Sequence, residues 1–169
     1  KYLCASMEKL SNVNKMVEMV HEAKHLLIST HKSPDGDAIG SSLALKQALE
    51  KLGKTVTVVV PDAFPSFLNW MVYKGDLLQF DQQSEAAKEA LKNADLVFSL
   101  DYNTLSRVGK GFEEVLRADN TPKLIIDHHR EPEEEAFVAG LHDIEASSTC
   151  QLVYDFIQSF DQKGLIDKR

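Results

Sequence analysis

Three short stretches carry residues able to do chemistry together: His31-Lys-Ser-Pro-Asp35-Gly-Asp37, Asp101, and Asp127-His128-His129. Taken as a set they supply four aspartates and three histidines. Carboxylates gathered at one place cannot all stay ionised without cations. Mixed carboxylate and imidazole donors suit Mn²⁺, Fe²⁺, Co²⁺ or Zn²⁺ better than calcium. An aspartate between two such ions would bridge them, and a bound water would be activated near neutral pH. Asp101 alone reads equally as a turn or cap residue; its weight comes from standing between the other two motifs. His21, His25 and His142 read as ordinary surface or core histidines.

Such a set needs elements that deliver it to one edge. Leu26–Thr30 is a short apolar run ending at His31, Ala94–Leu100 runs into Asp101, and Lys123–Ile126 runs into Asp127. Each reads as a buried strand. Ser33-Pro34 and Gly36 keep the first loop irregular, and the helix that follows aims its N-terminus at the same place, which favours anions there. Helical patterns cover 8–24, 38–52, 84–92, 111–118 and 148–160, the last with Cys150, Val153, Ile157 and Phe160 inward. Strands are expected at 25–30, 55–60, 77–80, 95–100 and 123–126. Strands alternating with helices predict an α/β fold with a parallel sheet covered on both faces. The expected sheet has five strands in the order 2-1-3-4-5, with a ligand crevice beside His31–Asp37. Phe137–Leu141 is a candidate for a further short strand outside these five. Phe67–Met71 reads as a short helix or docked loop. Glu131–Glu135 reads as a solvated turn.

The formal charge is −7 over 169 residues, which argues against long duplex nucleic acid as a partner. The two cysteines form neither a disulfide framework nor a zinc pattern, and the expected compartment is a reducing cytoplasm. No apolar run reaches the length of a membrane span.

The His31-x-x-Pro-Asp35-x-Asp37 motif, Asp101 and the Asp127-His128-His129 tripeptide resemble the DHH phosphoesterases over about residues 10–160. Gly36-Asp-Ala-Ile-Gly40-Ser and Ala146-Ser-Ser-Thr149 are similar to the branch that degrades short oligoribonucleotides and removes the 3′-phosphate of adenosine 3′,5′-bisphosphate. The resemblance implies two divalent ions, manganese first among them. His31 and Asp35 would hold one, Asp37 and His128 the other, and Asp101 would bridge. His129 would contact the scissile phosphate, and Asp127 would orient a neighbouring imidazole. Arg130 is a possible phosphate contact, and Ser148 either a helix cap or a substrate ligand. The expected partners are short RNA oligonucleotides or a nucleoside bisphosphate, cleaved by metal-activated water; a homo-oligomer is compatible. Pyrophosphatase or exopolyphosphatase activity is the enzymatic alternative, and a non-catalytic nucleotide- or metal-binding module the alternative of another class. Family members carry a further metal-binding aspartate and a second, substrate-gripping domain, neither of which is found here. The expectation is therefore that residues 1–169 are an N-terminal domain that turns over substrate weakly by itself.

Overall fold

The computed structural model describes residues 12–166; the expected helical start at 8–11, Cys4 and Asp167 lie outside them. A six-stranded, all-parallel sheet forms the centre. Its strands are β1 (His25–Thr30), β2 (Thr55–Val60), β3 (Leu77–Gln79), β4 (Leu96–Leu100), β5 (Lys123–Asp127) and β6 (Ala139–His142). The helices are α1 (Val13–Glu22), α2 (Gly36–Lys51), α3 (Ser84–Lys92), α4 (Lys110–Ala118) and α5 (Thr149–Gln158).

Strand alternation divides the core in two. Leu26, Ile28, Val56, Val58, Leu96, Phe98, Leu124 and Ile126 face α1, α2 and α5. Leu27, Val59, Val97 and Ile125 face α3 and α4, meeting Ala87, Leu91, Phe112 and Leu116. Successive strand residues point to opposite faces, so strands buried on both sides must read as unbroken apolar runs.

The strand order is 3-2-1-4-5-6, not the expected 2-1-3-4-5. β1 is flanked by β2 (His25 beside Thr55) and by β4 (Leu26 beside Leu96). β3 lies outside β2, at the edge. The physical reason is burial. All five residues of β4 are buried, whereas the three residues of β3 are only half-buried, and a strand between β1 and β5 must be covered on both faces. The sixth strand, β6, pairs with β5 and closes the opposite edge. Its Gly-Leu-His sequence has little strand propensity; docking, not propensity, makes it a strand. The reversal of direction consequently falls between β1 and β4, where open α/β sheets form their ligand crevice.

Ser66–Met71 is a short 3₁₀ helix, one of the two expected forms. Other local readings shift. Cys150 is exposed, while Val153, Ile157 and Phe160 are buried. Glu133 is not simply solvated: it accepts hydrogen bonds from Arg117 at 2.6 and 3.1 Å and from the Leu105 amide at 3.0 Å. The Arg117 bonds, helped by the Leu105 amide, hold its carboxyl below the ordinary value of 4.5. A depressed folded pKa contributes stability above the unfolded pKa that disappears as pH falls through the folded one. Glu133→Gln is therefore expected to cost about 1 kcal/mol at neutral pH. In urea titrations its gap from wild type should shrink below about pH 4.5; a gap constant down to about pH 3 would refute this.

Candidate active site

The first loop is held by its own polar groups. Ser33 takes a left-handed backbone (φ 54°), and its amide donates to Asp62 Oδ1 at 2.6 Å. Asp35 caps α2, its Oδ1 accepting from the Asp37 and Ala38 amides at 2.9 and 3.1 Å. This cap places Asp37 in the first helical turn. His31 is buried, its Nδ1 donating to the Lys32 carbonyl at 2.9 Å, so in the neutral ring Nε2 carries the lone pair. Nε2 lies 3.5 Å from Asp101 Oδ2 and 4.0 Å from Asp35 Oδ1. Burial opposes the His31 cation, but the Asp101 and Lys32 hydrogen bonds and the nearby carboxylates outweigh it and raise its pKa.

Asp101 is the pivot. Directly after β4 it adopts φ 64°, a region aspartate tolerates better than most residues, and its carboxylate is 3% exposed. Its amide donates to the Ile126 carbonyl at 3.1 Å. Tyr102, fully buried, fixes the turn from below. Its hydroxyl donates to Ser99 Oγ at 2.8 Å and lies 2.6 Å from Ser29 Oγ. Burial pushes the phenol up to about 12, so it remains a neutral donor. Asp101 Oδ1 accepts from the Thr149 hydroxyl at 2.9 Å and faces His128 Nε2 at 3.6 Å.

The end of β5 supplies the third group. Asp127 is completely buried; its Oδ1 accepts from His129 Nδ1 at 2.7 Å and its Oδ2 from the His129 amide at 3.0 Å. Burial raises its pKa against those bonds. His128 Nδ1 donates to the Ala146 carbonyl at 3.3 Å, which turns Nε2 toward Asp101 and, at 3.8 Å, toward Asp37 Oδ2.

Two triads result, His31–Asp35–Asp101 and Asp101–His128–His129, each offering one ligand atom per residue within 4.8 Å of the others. They share Asp101. Hard oxygen and borderline nitrogen donors at this spacing fit a divalent ion, and the acidic and imidazole groups are placed to hold a metal.

The remaining expected residues are placed differently. Asp37 reaches His128, but both its oxygens accept amides of the first turn of α5, from Thr149 and Cys150, each at 2.8 Å. Ser148 caps α5, accepting from the Gln151 amide at 3.1 Å. Arg130 is exposed on the loop beyond the tripeptide, and its carbonyl accepts from Asn103 at 2.6 Å. Two residues take places at the site that the sequence does not specify. Thr149, in the Ser-Ser-Thr run that reads as a cap before a ligand, is buried against Asp101. His142 Nε2 donates to the His129 carbonyl at 2.6 Å and lies 3.9 Å from Asp127 Oδ2. Its signal was its position at the end of β6, in register with Asp127.

Fold and site together define a doubly wound α/β protein with a candidate divalent-metal centre at the carboxyl edge of its sheet. The chain belongs to the DHH family of phosphoesterases: the family's N-terminal domain matches residues 25–169. It is 32% identical over 168 residues to the cyclic-di-AMP phosphodiesterase GdpP of Geobacillus thermodenitrificans, covering 90% of this chain and 25% of the relative. It is 34% identical over 135 residues to the bifunctional oligoribonuclease and PAP phosphatase NrnA of Thermus thermophilus, covering 78% and 36%. An exopolyphosphatase-related protein from Bacteroides fragilis, known from a crystal structure, superposes with a TM-score of 0.83 at 37% identity, covering 87% of this chain and 43% of that one. The chain thus spans between 25% and 43% of the length of each. The similarity extends to both GdpP and NrnA, so the oligoribonuclease branch is not singled out. Among the described residues no helix is long and apolar enough to cross a membrane.

Proposed function

We propose that this chain is the metal-binding domain of a phosphoesterase that hydrolyses nucleotide phosphoesters, with short oligoribonucleotides and adenosine 3′,5′-bisphosphate as substrates. The observation that carries the reading is the sharing of Asp101 between two donor triads from three strand ends. The names of GdpP and NrnA both describe nucleotide phosphoester chemistry, which supports a nucleotide over a polyphosphate.

In this reading two divalent ions, manganese by preference, supply Lewis-acid polarisation of the phosphate and an activated water. His31 and Asp35 would hold the first ion, His128 and Asp37 the second, and Asp101 would serve both. A carboxylate has about four lone-pair sites, so Asp37 can keep its two amide bonds and still act as a ligand. Asp127 fixes the ring of His129 through Nδ1, which leaves Nε2 to face the scissile phosphate. Arg130, exposed on the loop beyond the tripeptide, would contact a substrate phosphate.

The test is an assay of the full-length protein with Mn²⁺ on di- to pentanucleotides, adenosine 3′,5′-bisphosphate, pyrophosphate and polyphosphate. Turnover of the first two classes is expected. Turnover of the last two alone would replace the reading with a polyphosphatase, for which the Bacteroides fragilis relative is the supporting observation. A non-catalytic module is favoured by one feature, the commitment of both Asp37 oxygens to α5. Calorimetry with Mn²⁺ separates it: two sites fit the phosphoesterase, one weak site the module.

A further inference from the structure

We propose that Phe67 and Trp70 form an aromatic platform beside the metal cluster on which a base of the substrate stacks. This rests on the nucleotide reading above and assigns the part of the site that would tell a nucleotide from a base-free phosphate. Ser66–Met71 is a 3₁₀ turn, in which side chains three apart lie one above the other. The sequence Phe-Leu-Asn-Trp-Met therefore sorts into two faces. Phe67 and Trp70 share the outer face, 73% and 77% exposed. Leu68 and Met71 share the inner one. Leu68 is buried against Gly36, 3.8 Å from where a Cβ would stand, and Met71 approaches Gly40 to 3.5 Å by the same measure. Gly36 and Gly40 lie in the opening turns of α2, the helix that Asp35 caps and that carries Asp37. The apolar inner face thus seats the rings on the helix end that bears the metal-binding aspartates.

Two large rings presented to water on one face of a single short turn do nothing for the core. A base suits them better than a second copy of the chain. Stacking needs only a flat, uncharged face, whereas two copies each carrying a formal charge of −7 repel. The acidic surface also offers little to hold a polyanion apart from cations at the cluster, so a base contact adds grip without adding charge.

Trp70 is the sole tryptophan of the chain, which makes its fluorescence a direct reporter. Residues 1–169, in which Trp70 is the single tryptophan, are titrated with adenosine 5′-monophosphate and diadenylate, and with ribose 5-phosphate and pyrophosphate as base-free probes. Saturable quenching by the first pair and none by the second is expected. Phe67→Ala should raise the Kd for diadenylate about tenfold, within the range for loss of one stacking partner; circular dichroism checks that its fold is unchanged. Equal quenching by pyrophosphate would overturn the proposal. So would hydrolysis of diadenylate without quenching, which would leave the nucleotide reading standing. Quenching in this chain without hydrolysis by the full-length protein would support the platform and overturn the catalytic reading. A ligand-free fluorescence shift that grows with protein concentration, with dimers in sedimentation, would assign the rings to a second copy and overturn the platform.

Discussion

Asp101→Ala is expected to cost more metal affinity than alanine at positions 31, 35, 37 or 128. Each of those residues serves one ion in the proposed site, whereas Asp101 belongs to both donor triads. Changes to residues that merely orient ligands typically cost ten- to a hundredfold in affinity, so loss of the shared ligand should exceed about a hundredfold. Turnover in the full-length protein should fall on the order of a thousandfold or more, since metal-borne charge stabilisation is worth several kcal/mol. Alanine at φ 64° adds backbone strain, but asparagine tolerates that conformation. Asp101→Asn therefore isolates the charge, and it should lose metal affinity almost as fully. Mn²⁺ titration of the six variants checks the ranking, and a mild Asp101→Asn would refute the bridging role.

The second large effect is on stability. Gly140 sits in β6 beside Ile125 of β5. A Cβ there would stand 2.4 Å from Ile125 Cγ2 and 2.9 Å from the Ile125 carbonyl oxygen. The side chain could shift, but the carbonyl belongs to the sheet and cannot. Gly140→Ala should cost about 3 kcal/mol, a fall of roughly 6–12 °C in Tm for a domain of this size. The same strand ends in His142, which donates to the His129 carbonyl, so the variant should also weaken metal binding modestly. Calorimetric scans of wild type and variant decide it; a change in Tm below about 2 °C would mean that β6 yields freely.

The parts of this molecule legible in the sequence are those whose information is local. Unbroken apolar runs ending in Asp or His mark β1, β4 and β5, and those strands share one edge as the motif spacing implied. The edge strands were legible as strands but not in their place in the sheet, because their pairing is decided elsewhere. Leu77–Gln79 carries too little burial to compete for a central place, and Ala139–His142 becomes a strand only against Ile125 and its neighbours. The same limit applied to the site. Thr149 meets Asp101 across 48 residues and His142 meets His129 across 13, so their local sequence marks a cap and a strand end but not the partner. The positive φ of Asp101 was equally hidden, since an aspartate after a strand is compatible with many turns.

The grip of Asp37 on the Thr149 and Cys150 amides reaches across 112 and 113 residues. Contacts of such separation form late, because a long loop must close before they return any energy. On a ribosome, every proposed metal ligand through His128 emerges before the segment that fixes Asp37. A nascent chain therefore displays loose carboxylates and imidazoles first, and gains a fixed geometry only when α5 docks. The fixed geometry at Asp37 is in this way deferred until α5 has been made and docked, and a chain cut between residues 130 and 148 would keep the proposed ligands without it.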